Sequence, residues 1–140
     1  MKYYYTLWSD AINWSRSSIR TIGIWKLHTL GIITLSMSIN LGVLSVILQK
    51  LLSKKIALFY IELAVTNSQS VNRFLGAILL FYMPPLLLNY FLIFNYKKWD
   101  IIRKKYPHRN GKIYKGYVFL SFSPILILFI VAVLYKLMNY

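Results

Sequence analysis

The sequence predicts an all-α integral membrane protein with three transmembrane helices. Of the 140 residues, 58% are hydrophobic and 14% are charged, and the mean hydropathy is +0.53. Three segments approach the length of about 20 mostly apolar residues that crosses a hydrocarbon core of about 30 Å. The formal charge of +14 is carried by few residues, which indicates a concentrated basic face. At this length we expect a single membrane domain over residues 1–140.

Residues 1–26 are predicted to form an amphipathic helix in the membrane interface, with its helical pattern over 3–22. Its two faces separate mainly apolar from mainly polar side chains: Tyr4, Trp8, Ala11, Ile12, Ile19 and Ile22 against Ser9, Asn13, Arg16 and Arg20. Trp8, Trp14 and Trp25 are of the residue type that prefers the headgroup region, so we expect them to be interface anchors. The alternative is that this face packs on another subunit.

The first predicted span, residues 27–48, contains no formal charge. Its small or hydroxylated residues follow helical spacing and form a stripe: Thr34, Ser38, Gly42 and Ser45. Such a stripe lets another helix approach closely. Asn40 offers a second polar contact, four residues after Ser36. We expect these faces to pack chiefly against helices of other proteins.

Residues 49–73 form the predicted outer connection, in which the apolar run at 56–65 is too short to span. The favoured interpretation is an interfacial or partner-packed helix; a re-entrant piece and a short strand remain open. Glu62 lies in this run. An ion pair with Lys54, Lys55 or a partner is favoured over an ion or proton site at membrane depth.

The second and third predicted spans contain proline. In residues 74–96, Pro84 and Pro85 predict a kink near 80–85, and Asn89 is expected to hydrogen-bond across helices. In residues 117–135, two alternatives stay open. Either Ser123 caps a helix with Pro124 in its first turn, or the helix begins earlier and bends there. Residues 136–140 form a short tail.

The connection at residues 97–116 is strongly basic. It contains Lys97, Lys98, Arg103, Lys104, Lys105, Arg109, Lys112 and Lys115. Its first part is predicted to be a helix that stops at Tyr106-Pro107, followed by a turn at Asn110-Gly111. Beyond setting topology, these residues are candidates to bind anionic phospholipid, an acidic cytoplasmic partner or ribosomal RNA. We expect no specific DNA binding.

The distribution of Lys and Arg predicts the orientation. Four precede the first span and eight lie between the second and third, against four in the first connection and one after the last span. By the positive-inside rule the N-terminus is expected in the cytoplasm and the C-terminus outside. Richness in Ile, Leu, Lys, Asn and Tyr is typical of low-GC bacterial genomes. The predicted location is therefore the bacterial inner membrane.

The sequence contains no evident catalytic, metal-binding or cofactor-binding motif. The chain has no Cys, which excludes thiol nucleophiles and Cys-ligated metal centres. Its acids are widely separated, and neither His has a second His nearby, so we expect no metal site and no cofactor. No nucleotide-binding, zinc-protease or serine-hydrolase motif is present. An enzyme acting on lipids would need the side chains of Asp10, His28, Glu62 and Asp100 to come together in one site. We therefore expect that the protein is not an enzyme.

These observations favour a non-catalytic accessory subunit of a larger inner-membrane complex. Its partners would be larger membrane-protein subunits, and protein translocation or secretion is favoured over respiration because nothing in the chain would ligate a redox centre. A supernumerary respiratory subunit would nevertheless have a similar sequence. The alternative class is a self-sufficient small membrane protein, such as a homo-oligomeric pore of the holin type. The chain also resembles bacteriocin immunity proteins, in composition and not in any motif.

Overall fold

A computed structural model describes residues 1–51 and 64–138, apart from the side chains of Lys50 and Leu128. The described residues form helices and turns and no strand, which confirms the all-helical prediction. In chain order the helices are α1 (Lys2–Ser17), α2 (Trp25–Leu51), α3 (Gln69–Ala77), a π-helical turn (Ile78–Tyr82), α4 (Met83–Asn89), a second π-helical turn (Tyr90–Phe94), a 3-10 turn (Asn95–Lys97), α5 (Lys98–Lys105) and α6 (Lys112–Met138). Glu62 and most of the predicted segment at 56–65 lie outside the described residues.

Among the described residues, three helical stretches are long and apolar enough to cross a membrane: Trp25–Gln49, Gln69–Lys105 and Lys112–Met138. Each contains one of the predicted spans and extends beyond it at both ends. Their length and composition indicate a multi-pass membrane protein. We call them the first, second and third spans.

The N-terminal helix is shorter than predicted. α1 ends at Ser17, and the backbone of Ser18 is extended instead of helical. The Thr21 hydroxyl donates a hydrogen bond of 2.6 Å to the carbonyl of Ser15, a group left free by the end of the helix. Ile19 and Ile22 are therefore in turns and exposed, and do not continue the apolar face of α1.

The second span is irregular at two places. A π-helical turn ends at Tyr82, two residues before Pro84. Pro84 and Pro85 lack the backbone N–H that an α-helix requires, so the disturbance lies where a kink is predicted. Further along, Tyr96 and Lys97 have left-handed backbone torsions (φ of 51° and 57°). This second break separates α5 from the rest of the second span, so the basic helix is not a straight extension of the residues before it.

In the third span, the alternative in which Ser123 caps the helix is wrong, because α6 begins at Lys112. Pro124 lies inside the helix and has no N–H for the carbonyl of Leu120, four residues earlier. The Ser123 hydroxyl donates to that carbonyl at 2.8 Å. A local side chain thus replaces the hydrogen bond that proline removes, as neighbouring polar groups do in membrane helices.

The packed core lies at one end of the molecule. We define the base as α1, α5, residues 25–40 of α2, residues 89–97 of the second span and residues 112–121 of α6. Its buried apolar residues are Trp8, Ala11, Ile12, Ile33, Ile93, Ile102 and Tyr114. Beyond the base, the far halves of the spans (residues 41–51, 69–82 and 122–138) are mostly exposed. Within the most apolar stretch of each span, 28%, 17% and 6% of the residues are buried, in chain order.

Candidate functional site

Asp10, on α1, is a fully buried carboxylate in the base. One oxygen, Oδ1, accepts the backbone N–H groups of Arg109 and Gly111, and Oδ2 accepts that of Tyr114 at 3.0 Å. These amides belong to the last turn before α6 and to its first turn, where the N–H groups have no partner within the helix. Asp10 therefore caps a helix that lies about a hundred residues away along the chain, and its negative charge faces the positive end of the helix dipole.

The turn before α6 has a shape that few residues allow. Asn110 and Gly111 have positive φ of 50° and 83°, in agreement with the predicted turn. A Cβ added to Gly111 would lie 2.6 Å from the ring of Trp14. The ring of Trp14 also packs at 5.5 Å from that of Tyr114. The turn is thus held between the Asp10 carboxylate and the Trp14 ring, and glycine is the residue that fits.

Asn89 joins three helices inside the base. It is fully buried, and its amide nitrogen donates to the hydroxyl of Thr34 on α2 at 3.1 Å. Its amide oxygen accepts a hydrogen bond of 2.7 Å from the hydroxyl of Tyr4 on α1. Burial raises the pKa of Tyr4 to about 12, so this hydroxyl stays protonated even in alkaline solution up to that range. Asn89 thus makes the cross-helix contacts that an amide in a membrane helix favours.

A second polar junction joins α2 to α6. The amide nitrogen of Asn40 donates to the hydroxyls of Ser121 at 3.0 Å and of Tyr117 at 3.3 Å. Asn40 itself is exposed, whereas Ser121 is buried. This predicted packing residue therefore bonds within its own chain, whereas the sequence favoured helices of other proteins.

The small-residue stripe on α2 faces the second span. Thr34 bonds Asn89, and Ser38 and Gly42 lie opposite Phe74 and Phe81 across a groove of about 470 Å³. Ser45 continues the stripe beside Leu80 in a smaller gap. The stripe therefore faces a helix of the same chain, but α2 and the second span leave open space between them.

The basic segment is spread over the surface of the base. Lys97, Lys98, Lys104, Lys105, Arg109, Lys112 and Lys115 are exposed, and Arg103 is half-buried. Asp100 forms ion pairs with Lys104 at 2.8 Å and with Arg103 at 3.3 Å. No other ion pair involving this segment occurs among the described residues. Most of its charge is therefore available to an anionic partner.

The three predicted anchor tryptophans occupy different environments. Trp8 has no exposed surface and packs edge-on against Phe94 at 5.7 Å. It lies in the core and not at a lipid-facing surface, because the apolar face of α1 is covered by α5, α2 and α6 of the same chain. This corrects the prediction that α1 lies with that face in the membrane interface or against another subunit. Trp14 and Trp25 are half-buried.

Trp25 belongs to a cluster that sequence reasoning missed, which we call the tryptophan cluster: Arg16, Trp25, Lys26 and Trp99. The two indole rings meet edge to face at 4.9 Å. The guanidinium of Arg16 lies 5.5 and 5.4 Å from the two ring centres, and the Lys26 ammonium lies 5.8 and 5.6 Å from them. Cation–π attraction of this kind fixes cations beside aromatic rings. The position of Trp99 among lysines is a signal that could have identified it.

The candidate catalytic residues occupy separate structural positions. The carboxylate of Asp10 is occupied by backbone amides, and Asp100 pairs with basic residues on its own helix. The ring of His28 lies 6.1 Å from that of Trp14, centre to centre, and Glu62 lies outside the described residues. Within the described ranges 1–51 and 64–138, no three His, Asp or Glu residues are grouped to hold a metal ion.

No protein-family model matches the chain, and no curated protein or solved structure is significantly similar to it.

Proposed function

We propose that this protein is a non-catalytic accessory subunit of a larger complex in the bacterial inner membrane. The observation that supports this proposal is the contrast between the packed base and the unpacked far halves of its spans. In α6, the described apolar side chains between 125 and 138 are exposed around the whole helix, for example Leu126, Phe129 and Val133. A protein that worked alone as a transporter or enzyme would need a built interior between its spans. Here the spans present apolar surface to their surroundings.

The polar groups of the base favour a structural role for it. Asp10 caps α6, Asn89 joins α1, α2 and α4, and Asn40 joins α2 to α6. Such bonds hold the spans at fixed positions where they leave the base. A rigid base with projecting helices suits a subunit that fills space between the helices of larger neighbours, where association depends on close packing.

The proposed orientation places the base on the cytoplasmic side. The basic residues of the N-terminal segment and of residues 97–116 all belong to the base or its adjoining turns. The positive-inside rule places such a concentration of Lys and Arg in the cytoplasm. The C-terminal end of α6 then lies outside.

Co-purification tests this function. The full chain, tagged at either end, is extracted from its native membranes in a mild detergent, and the eluate is sized and analysed by mass spectrometry. We expect stoichiometric larger membrane proteins, whose identity would distinguish translocation or secretion from respiration. A homogeneous homo-oligomer without partners would contradict the proposal and would favour a pore; specific protection of cells from a peptide toxin would favour an immunity protein.

A further inference from the structure

A cavity of about 650 Å³ lies where the spans leave the base. It is open on one side and lined by α1, the middle of α2, the turn before α6 and the first two turns of α6. Its rim carries two exposed cations, Lys2 and Arg109, and its wall is formed largely by apolar side chains that include Leu7, Met37 and Ile113. A volume of this size is typical of sites for small organic molecules.

The two cations at the rim are available to a ligand. Neither Lys2 nor Arg109 takes part in an ion pair among the described residues. Asp10 accepts the backbone N–H of Arg109, but both of its oxygens are bonded to amides and it is fully buried. No acidic side chain lines the cavity within the described ranges. The rim is therefore positively charged and complementary to an anion.

The cavity is amphipathic along its length. From the charged rim it extends to Met37, near the middle of α2, and to Tyr117, more than one turn into α6. Beyond these residues the far halves of both helices are exposed and apolar. Inorganic phosphate would pair with the cations of the rim but leave the apolar wall without a contact. A ligand with an anionic head and an apolar chain would contact both the rim and the wall.

We propose that this cavity binds a single anionic phospholipid, with the phosphate between Lys2 and Arg109 and an acyl chain along Leu7, Met37 and Ile113. The inference rests on the membrane placement in the proposed function, since that placement puts the rim at the cytoplasmic headgroup level. It adds a defined lipid site to the diffuse attraction that the other basic residues exert on anionic lipid. The ligand would contact α1, α2, α6 and the turn before α6, and so would stabilise the base.

The test is native mass spectrometry of the full chain in detergent, titrated with phosphatidylglycerol, with phosphatidylcholine and with inorganic phosphate. The decisive variant is Lys2→Gln/Arg109→Gln. Its matched control is Arg20→Gln/Lys98→Gln, which also removes one Lys and one Arg, both exposed and outside the cavity. Because only the decisive variant loses the charge-assisted contacts with the phosphate, we expect it to bind phosphatidylglycerol about tenfold or more weakly and the control to change little.

A second variant, Ile113→Trp, tests whether the apolar wall holds the chain of the lipid. Ile113 is half-buried and belongs to the cavity wall rather than to the packed core, so the larger side chain is expected to fill the cavity and leave the base folded. The thermal midpoint of each variant verifies its folding. We expect Ile113→Trp to lose the bound phosphatidylglycerol while retaining its charge.

Three results would overturn the proposal. Equal weakening in the two charge variants would show diffuse attraction, and equal binding of phosphatidylcholine would show that the anionic head is not recognised. Competition by inorganic phosphate with no effect of Ile113→Trp would show an anion site without a lipid chain. Because the titration uses purified protein, failure here is distinguishable from failure to co-purify with partners, which would contradict the accessory-subunit function itself.

Discussion

At the residue scale, the fold depends on a few contacts between residues that are distant in sequence. Asp10 and Gly111 are 101 positions apart, yet the carboxylate of the first accepts the backbone N–H of the second at 3.0 Å. The sequence identified Asp10 as a scarce acid and Asn110-Gly111 as a turn, but it did not pair them. A cap donated by a different helix has no local spacing pattern, which is why sequence reasoning did not find it.

Asp10→Asn should destabilise the protein by about 2–3 kcal/mol, because a charged acceptor of three buried amides is replaced by a neutral side chain with one acceptor oxygen. The measurement is the free energy of unfolding in detergent. Asp100→Asn is the matched control, since its ion pairs lie at the surface and are worth about 0–1 kcal/mol. An equal small loss in both variants would contradict the role of Asp10 as a buried cap.

Gly111→Ala should cost about 2 kcal/mol or more, because the new methyl group meets the Trp14 ring and the positive φ disfavours any side chain. Gly116→Ala is the control. Gly116 lies within α6 and a Cβ there meets nothing within 4 Å, so this change should stabilise the helix by up to about 1 kcal/mol. Opposite signs in thermal unfolding are expected; the same sign in both would show that the turn is not constrained as described.

At the element scale, helix type and position are largely predictable from the sequence, whereas the environment of each helix is not. The apolar runs predicted three spans, and Pro84 and Pro85 predicted the disturbance in the second. The helical spacing of α1 also predicted an amphipathic helix. That spacing does not show whether lipid or protein covers the apolar face of the helix. In the structure, other helices of the same chain cover it. The end of α1 at Ser17 depends on the Thr21 hydroxyl, a contact outside the repeat pattern.

Trp8→Ala tests whether α1 is part of the core. Removing a fully buried tryptophan should lower the free energy of unfolding by about 3–5 kcal/mol. Ile19→Ala is the control, because Ile19 is 93% exposed and should change stability by less than about 0.5 kcal/mol. Were α1 instead a helix lying in the interface, Trp8→Ala would weaken its contact with lipid and leave unfolding of the bundle nearly unchanged.

At the scale of the whole molecule, the sequence predicted where charge is concentrated but not how the bundle is packed. Residues such as Thr34 and Asn40 are predictable as polar contacts, yet their partners, Asn89 and Ser121, belong to the same chain. The cavity was not predictable, because Lys2 and Arg109 line it together only through the tertiary fold. Overall orientation in a membrane remains a prediction of the positive-inside rule.

Single-cysteine labelling tests that orientation, and the absence of native Cys means that no background substitution is required. Lys98→Cys, on the exposed surface of the base, should react with an impermeant maleimide only after the cells are permeabilised. Met138→Cys, 84% exposed at the end of α6, should react in intact spheroplasts. The reverse pattern would place the base outside and contradict the predicted topology.

The central claim is that the far halves of the spans contact helices of other proteins, and site-specific photo-crosslinking tests it most directly. A photoactivatable residue is placed at Phe129 or Val133 in α6, and at Ile33 in the core as the control. In native membranes we expect discrete adducts with larger membrane proteins from α6 and none from Ile33. Adducts with a second copy of this chain alone, or with lipid alone, would contradict the claim.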